Sequence, residues 1–255
     1  MHLILTGATG LVGSAVLDAM IKLPDVSRIS VLSRRPVKMA EAANDPRVNV
    51  IIHKDFTTYD SSLLEKLSGA DGCVWALGIS QAQVGKDEYV EITKTYALAA
   101  AEAFRTLPAS ETKPFNFVYV SGEGSTFKPS MFTPLFGRIK GETELALAEM
   151  RKQHPAFHAS TVRAGFIDKA AQPDIQPFVP VLGYSRVAME AVLGPVVRNV
   201  WKGAWSPTEH LGKFLAEMAM GQYDAASNVA KGYRKLDGGF TVVDNVGFRR
   251  LVGLD

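Results

Sequence analysis

The chain has 255 residues, 47% hydrophobic and 21% charged, enough for one large buried core and short of the usual length for two. Lys and Arg number 28 against 26 Asp and Glu, and a net charge of +2 without any basic block excludes nucleic-acid binding driven by counterion release. The lone Cys73 excludes a disulfide scaffold and a cysteine-based zinc site, and no uninterrupted apolar stretch of about 18 residues offers a membrane span.

The chain opens directly on an apolar segment without a basic leader, which predicts no signal peptide and a cytoplasmic, reduced protein. Short apolar runs at 3–6, 28–32, 48–52, 72–77, 115–121 and 158–163 predict six strands. Between them, residues 11–23, 61–67, 88–107 and 135–153 repeat apolar side chains at three and four positions, as amphipathic helices do. This rhythm predicts a Rossmann-type doubly wound parallel α/β sheet with helices on both faces. Pro24, Pro46, Pro108, Pro114 and Pro155 punctuate the boundaries. The rhythm fails at 164–183, which reads as a loop-rich insertion. Helices return at 186–201 and 207–220, the latter with Pro207 in the first turn and Ser206 as its cap, and a last short helix follows Asp244. The expected organisation is one domain over 1–255, with a core at 1–163 and a small substrate-side elaboration at 164–255.

Between the first strand and first helix the sequence runs Thr6-Gly7-Ala8-Thr9-Gly10-Leu11-Val12-Gly13. In that position Gly7 suits a tight turn, Gly10 a close approach to pyrophosphate, and Gly13 the packing of helix on strand, with the phosphates at the positive end of the helix dipole. A dinucleotide cofactor is therefore expected, and a simple packing turn is the alternative. An NAD site carries an acid about 20 residues beyond the glycine loop. Here Ser33 is followed by Arg34 and Arg35, which suit a 2′-phosphate and favour NADP(H), unless they only edge the strand in solvent.

These residues resemble the short-chain dehydrogenase/reductase superfamily, whose extended and atypical branch carries the fingerprint TGxxGxxG; Thr6 to Gly13 matches it at every fixed position. The resemblance continues through Asp55-Phe56, Ala76-Leu77-Gly78, Val120-Ser121 and Lys140, and is similar in detail to HIV Tat-interactive protein 2-like NADP-binding proteins and their fungal relatives. It implies that Thr6, Gly7, Thr9, Gly10, Leu11, Val12 and Gly13 hold the cofactor phosphates. Asp55 and Phe56 would flank the adenine, Leu77 and Gly78 would lie along the ribose, and Lys140 would bind the nicotinamide ribose.

The superfamily's chemistry rests on Tyr-x-x-x-Lys within a helix, where residues four apart share a face. Here the lysine is Lys140 and the tyrosine position holds Phe136, which cannot move a proton. General acid catalysis of this kind contributes roughly a hundred- to ten-thousandfold, so its loss requires a substitute or a different reaction. Ser121 is the expected active serine, with Ser125 as alternate, and Asp168, Tyr184 and Glu123 are candidate substitute acids. Three functions follow: an NADPH-dependent reductase of a small organic substrate with a non-standard donor; a non-redox isomerase, cyclase or dehydratase with Phe136 lining an apolar pocket; or a cofactor-sensing protein whose apolar 178–205 region binds a partner. A homodimer is the candidate assembly.

Overall fold

Strand β1 (His2–Thr6) sends Leu3 and Leu5 to one face of a sheet and Ile4 to the other, all fully buried, the pattern of a strand covered on both sides. The computed structural model describes residues 1–107, 113–180, 184–223 and 231–255, with backbone only for 184–191. Strands β2 (Arg28–Ser33), β3 (Val48–Ile52), β4 (Gly72–Trp75), β5 (Phe115–Gly122) and β6 (Phe157–Ala164) pair in parallel in the order β3-β2-β1-β4-β5-β6. All six expected strands are present. Phe115, Phe117 and Tyr119 of β5 meet one helical layer while Val118 meets the other, so strand alternation sorts the aromatic side chains onto one face.

Helices α1 (Leu11–Lys22), α2 (Lys38–Ala43), α3 (Ser61–Leu67), α4 (Lys86–Val90), α5 (Tyr96–Phe104), α6 (Leu135–Gln153), α7 (Tyr184–Asn199), α8 (Thr208–Ala219) and α9 (Asn245–Leu251) cover and extend the sheet. α1 and α8 pack together on one face, and α3, α5 and α6 cover the aromatic face. The helix expected at 88–107 is broken: α4 and α5 are joined by a π turn, Glu91–Thr95. Periodicity does not reveal this, because the π turn spans only five residues, too few to establish a period of their own. Strand β4 stops at Trp75, short of the expected 77, because the chain turns away there to floor a groove.

The insertion at 164–183 contains β7 (Phe166–Asp168), which pairs in parallel with β8 (Trp205–Pro207). Three-residue strands leave no readable period. Ser206 belongs to β8 and does not cap α8; its Oγ donates to Asn245 Oδ1 (2.6 Å) and accepts from the Gly165 amide (2.9 Å), and the helix begins one residue after Pro207. Residues beyond 163 are more than an elaboration. β10 (Thr241–Asp244) adds to the main sheet beside β6, and β9 (Tyr233–Lys235) closes that edge in antiparallel pairing. Helix α9 starts directly after Asp244, as expected. Among the described residues no helix is long and apolar enough to cross a membrane.

Candidate functional site

The strand order reverses between β1 and β4, and in open parallel sheets the crevice beyond the carboxyl ends at such a point is where ligands bind. Two adjoining cavities occupy it. One, of about 510 Å³, is lined by Gly10 to Val12, Tyr119 to Ser121, Lys140 and Gly165 to Ile167, among others. The second, of about 390 Å³, is lined by Gly7, Thr9, Gly10, Leu32 to Arg35 and Phe56. Both share Gly10, Ala76 to Ile79, Gln83 and Pro180, so together they form one groove with two ends.

The glycine loop separates two jobs. A Cβ on Gly7, whose φ is +73°, would stand 2.3 Å from Ala76 O, and one on Gly13 would stand 2.0 Å from Gly7 O. These two glycines are required by the packing of the fold. A Cβ on Gly10 would meet only Gly7 O, at 3.3 Å, and otherwise project into the groove. Gly10 also precedes the first turn of α1, which has no side-chain cap and no acidic residue, leaving amide donors and the positive helix end directed at the same space. That cradle fits a pyrophosphate.

Of the expected contacts, Gly7, Thr9, Gly10, Arg34, Arg35 and Phe56 line one end, Leu11, Val12, Ser121 and Lys140 the other, and Leu77 and Gly78 both. Arg34 and Arg35 are exposed, and no described carboxylate lies within ion-pair distance of either. Three expected contacts are placed differently. Thr6 is buried beneath the groove, its Oγ1 accepting from the Leu77 amide (3.2 Å), so it anchors the groove floor. Gly13 also lies outside both cavity walls. Asp55 spends its carboxylate on the Thr57 amide (2.9 Å) and the Thr57 and Thr58 hydroxyls, closing a local turn outside the cavity wall.

At the catalytic end, Lys140 projects from α6 with Nζ 3.3 Å from Val120 O and 6.0 Å from the Tyr119 ring centre. Burial lowers its pKa to about 8, partly countered by Glu144 one turn along the helix. Ser121 Oγ lies 3.0 Å from Ser125 Oγ, and Ser125 Oγ donates to Gly122 O (2.8 Å), so both candidate serines belong to one chain of hydrogen bonds. Phe136 contributes no atom to either cavity wall, which corrects the expectation that it lines an apolar pocket. Its ring tip instead faces the Gly124 turn, with Cζ 3.2 Å from where a Gly124 Cβ would stand, and its amide donates to Gln81 Oε1.

Asp168 is not a free acid. Burial alone would raise its carboxyl, but Arg198 (2.5 and 3.0 Å), the Ala170 amide and Trp205 Nε1 (3.0 Å) hold it below the usual carboxylate range. It is ionised at neutrality and fastens α7 to the small β7–β8 sheet. Glu123, raised by desolvation, accepts from the Asn245 amide (2.6 Å) and also lies outside the groove wall. The Tyr184 side chain falls outside the described residues. Sequence reading missed Tyr119 and Thr93, which also line the groove; the signal for Tyr119 was its place beside the Val120-Ser121 pair, and Thr93 had none.

The sheet order and the glycine cradle at its switch point define a Rossmann-type α/β fold. No family model matches the chain. It belongs to the family of two fungal proteins: Botcinic acid biosynthesis cluster B protein 16 of Botryotinia fuckeliana, 40% identical over 62% of this chain and 99% of the relative, and Leucinostatins biosynthesis cluster protein T of Purpureocillium lilacinum, 44% identical over 78% and 77%. Protein fmp52, mitochondrial, of Emericella nidulans is 30% identical over 55% of this chain and 57% of its own. Among solved structures, the Bordetella bronchiseptica enzyme WbmF in complex with NAD+ superposes with a TM-score of 0.63 at 16% identity, over 100% of this chain and 79% of that one. An oxidoreductase of the short-chain dehydrogenase/reductase family from Burkholderia thailandensis gives 0.59 at 16% identity, over 99% and 92%. These likenesses establish the fold.

Proposed function

We propose that the protein is an NADP(H)-dependent reductase of a small organic carbonyl compound, working with a proton donor other than tyrosine. The carrying observation is the unfilled Cβ position of Gly10 at the uncapped start of α1, in a groove that runs to two arginines with no carboxylate partner among the described residues. Backbone amides of Leu11 and Val12 would hold the pyrophosphate, Arg34 and Arg35 the 2′-phosphate, Phe56 the adenine and Lys140 the nicotinamide ribose. The bound cofactor supplies a hydride. Ser121 and Lys140 border the space where a carbonyl oxygen would sit, and the apolar walls of Leu77, Ile79, Phe166 and Ile167 keep water from it.

The fold neighbours crystallised with NAD+ support a nicotinamide cofactor, and relatives from two biosynthetic clusters support a biosynthetic intermediate as substrate. The reading places the protein in the cytoplasm, where its single buried thiol stays reduced; the mitochondrial relative makes cell fractionation the deciding measurement. NADPH is expected to bind more tightly than NADH in calorimetric titration, and Arg34→Ala to narrow the preference by about 1.5–3 kcal/mol, the range for a charged hydrogen bond. Equal affinities in the unaltered protein would reject the NADP(H) assignment.

A second reading, a cofactor-sensing protein that binds a partner or a second copy of itself, draws on α7. Val192 (69% exposed), Leu193, Val196 and Val200 (81%) form one apolar stripe on that helix and its C-terminal extension. Light scattering with and without NADPH distinguishes a homodimer from a monomer and shows whether occupancy changes assembly.

A further inference from the structure

Among the described residues, the catalytic end of the groove has six polar side chains in its wall: Ser80, Gln83, Thr93, Tyr119, Ser121 and Lys140. Most of them have no proton to give. Tyr119 donates its hydroxyl hydrogen to Thr93 O (3.3 Å), and burial pushes its pKa far above neutrality. Ser125 commits its hydrogen to Gly122 O, so the 3.0 Å contact is made by Ser121 donating to Ser125, and Ser121 turns a lone pair toward the groove. The Gln83 amide and the Ser80 and Thr93 hydroxyls do not ionise near neutral pH. Asp168 and Glu123 lie outside this wall.

Lys140 is different. An ammonium has three N–H donors, and the structure gives this one a single long bond, to Val120 O. Among the described residues no carboxylate forms an ion pair with it. Glu144, the charged group on its own helix, is gripped by Arg163 of β6 through contacts of 3.1, 3.2 and 2.6 Å. From β5 it is faced by Tyr119 and Ser121. Phe136, one turn before it, points its ring tip at Gly124 rather than into the groove.

From this arrangement we infer that Lys140 is itself the proton donor, its ammonium protonating the substrate oxygen that a tyrosine would otherwise serve. The inference rests on the reductase reading above. The carbonyl carbon gains a hydride from the reduced nicotinamide, which is oxidised, and the C=O π electrons move to oxygen. That oxygen forms an O–H bond as one Nζ–H bond breaks, leaving a neutral amine that takes a proton from water at the groove mouth. Burial supports the assignment: with a pKa of about 8, the group is mostly charged at neutral pH yet far more willing to release a proton than an exposed lysine. The donor form exists below that value, so reduction should slow as pH rises through it.

Two measurements test this. In protein labelled at lysine Nζ, with Lys140→Arg used for assignment, NMR titration with and without NADPH should find Lys140 changing charge near pH 8; a midpoint at 10 or above overturns the donor role. In stopped flow with NADPH and a panel of activated ketones and aldehydes, Lys140→Arg keeps a positive charge but cannot give up a proton near neutrality. At saturating NADPH it should transfer hydride at least roughly a hundredfold more slowly than the unaltered protein and without the fall near pH 8. An Arg variant at full rate overturns the donor assignment and leaves a positioning role. Failure of the unaltered protein to bind NADPH overturns the reductase reading instead, and binding without turnover of any panel member removes the reaction and the donor role with it.

Discussion

Gly10 and Gly13 sit three residues apart and should fail in opposite ways when given side chains. Gly10→Val places branched carbons in open groove, so cofactor binding is expected to be lost while thermal stability changes little. Gly13→Ala drives a methyl to within 2.0 Å of Gly7 O, so the fold itself should suffer. Measuring melting and NADPH affinity on both variants checks the separation; retained binding in Gly10→Val would move the cofactor elsewhere. Phe136→Tyr gives a third residue-scale expectation. The new hydroxyl would be carried toward the Gly124 turn, with a cost of about 1–3 kcal/mol if left unpaired, and little gain in NADPH oxidation. A tenfold gain in ketone reduction would contradict this geometry. Single residues also show where sequence stops informing. Glycine spacing was readable because the backbone imposes it locally, and the arginine pair because Arg34 and Arg35 directly follow Ser33 at the end of β2. That Asp168 is neutralised by Arg198, 30 positions on, or Asp55 by its own turn, depends on partners that spacing does not reveal.

At the scale of elements, the long strands and helices were legible because each buries a face over many residues, which writes a period into the chain. β7, β8 and β9, at three residues each, write none, and the π turn Glu91–Thr95, with Ile92 as its one apolar residue, is likewise too short to write one. The β7–β8 pair nevertheless carries α7, through Asp168, Arg198 and Trp205. Because the folded Asp168 carboxyl lies below its ordinary value of 3.8, this attachment is fully present above that pH and is lost as pH falls through the still lower folded value. Acid titration followed by tryptophan fluorescence should therefore show Trp205 changing environment below pH 3.8. Asp168→Asn should produce the same signal at neutral pH with a loss of about 1–2 kcal/mol, the lower part of the charged-bond range because Arg198 is 36% exposed. An unchanged spectrum in that variant would show that other contacts hold α7.

For the whole molecule, the expected frontier at residue 163 is not a physical one. Helix α8 packs on α1 and β10 completes the main sheet, so early and late parts of the chain share a core. The chain should therefore melt as one unit. Saturating NADPH at about a hundred times its dissociation constant should add about 2.7 kcal/mol, or roughly 5–10 °C, to that single transition. Two transitions, with only one moved by cofactor, would show that residues 164–255 fold separately.

The seat of β10 beside β6 also has a meaning for how the molecule comes into being. Strand β6 ends at Ala164 and its outer neighbour begins at Thr241. At ordinary rates of protein synthesis that interval takes about 4–15 s, during which the nascent chain holds a nearly finished sheet whose β6 border is still unpaired. The late arrival of four residues, Thr241 to Asp244, then seals it, with β9 and its Arg234 and Lys235 as a charged outer fence against pairing with other chains. A newborn molecule is thus most open to mispairing at the β6 border just before β10 is made.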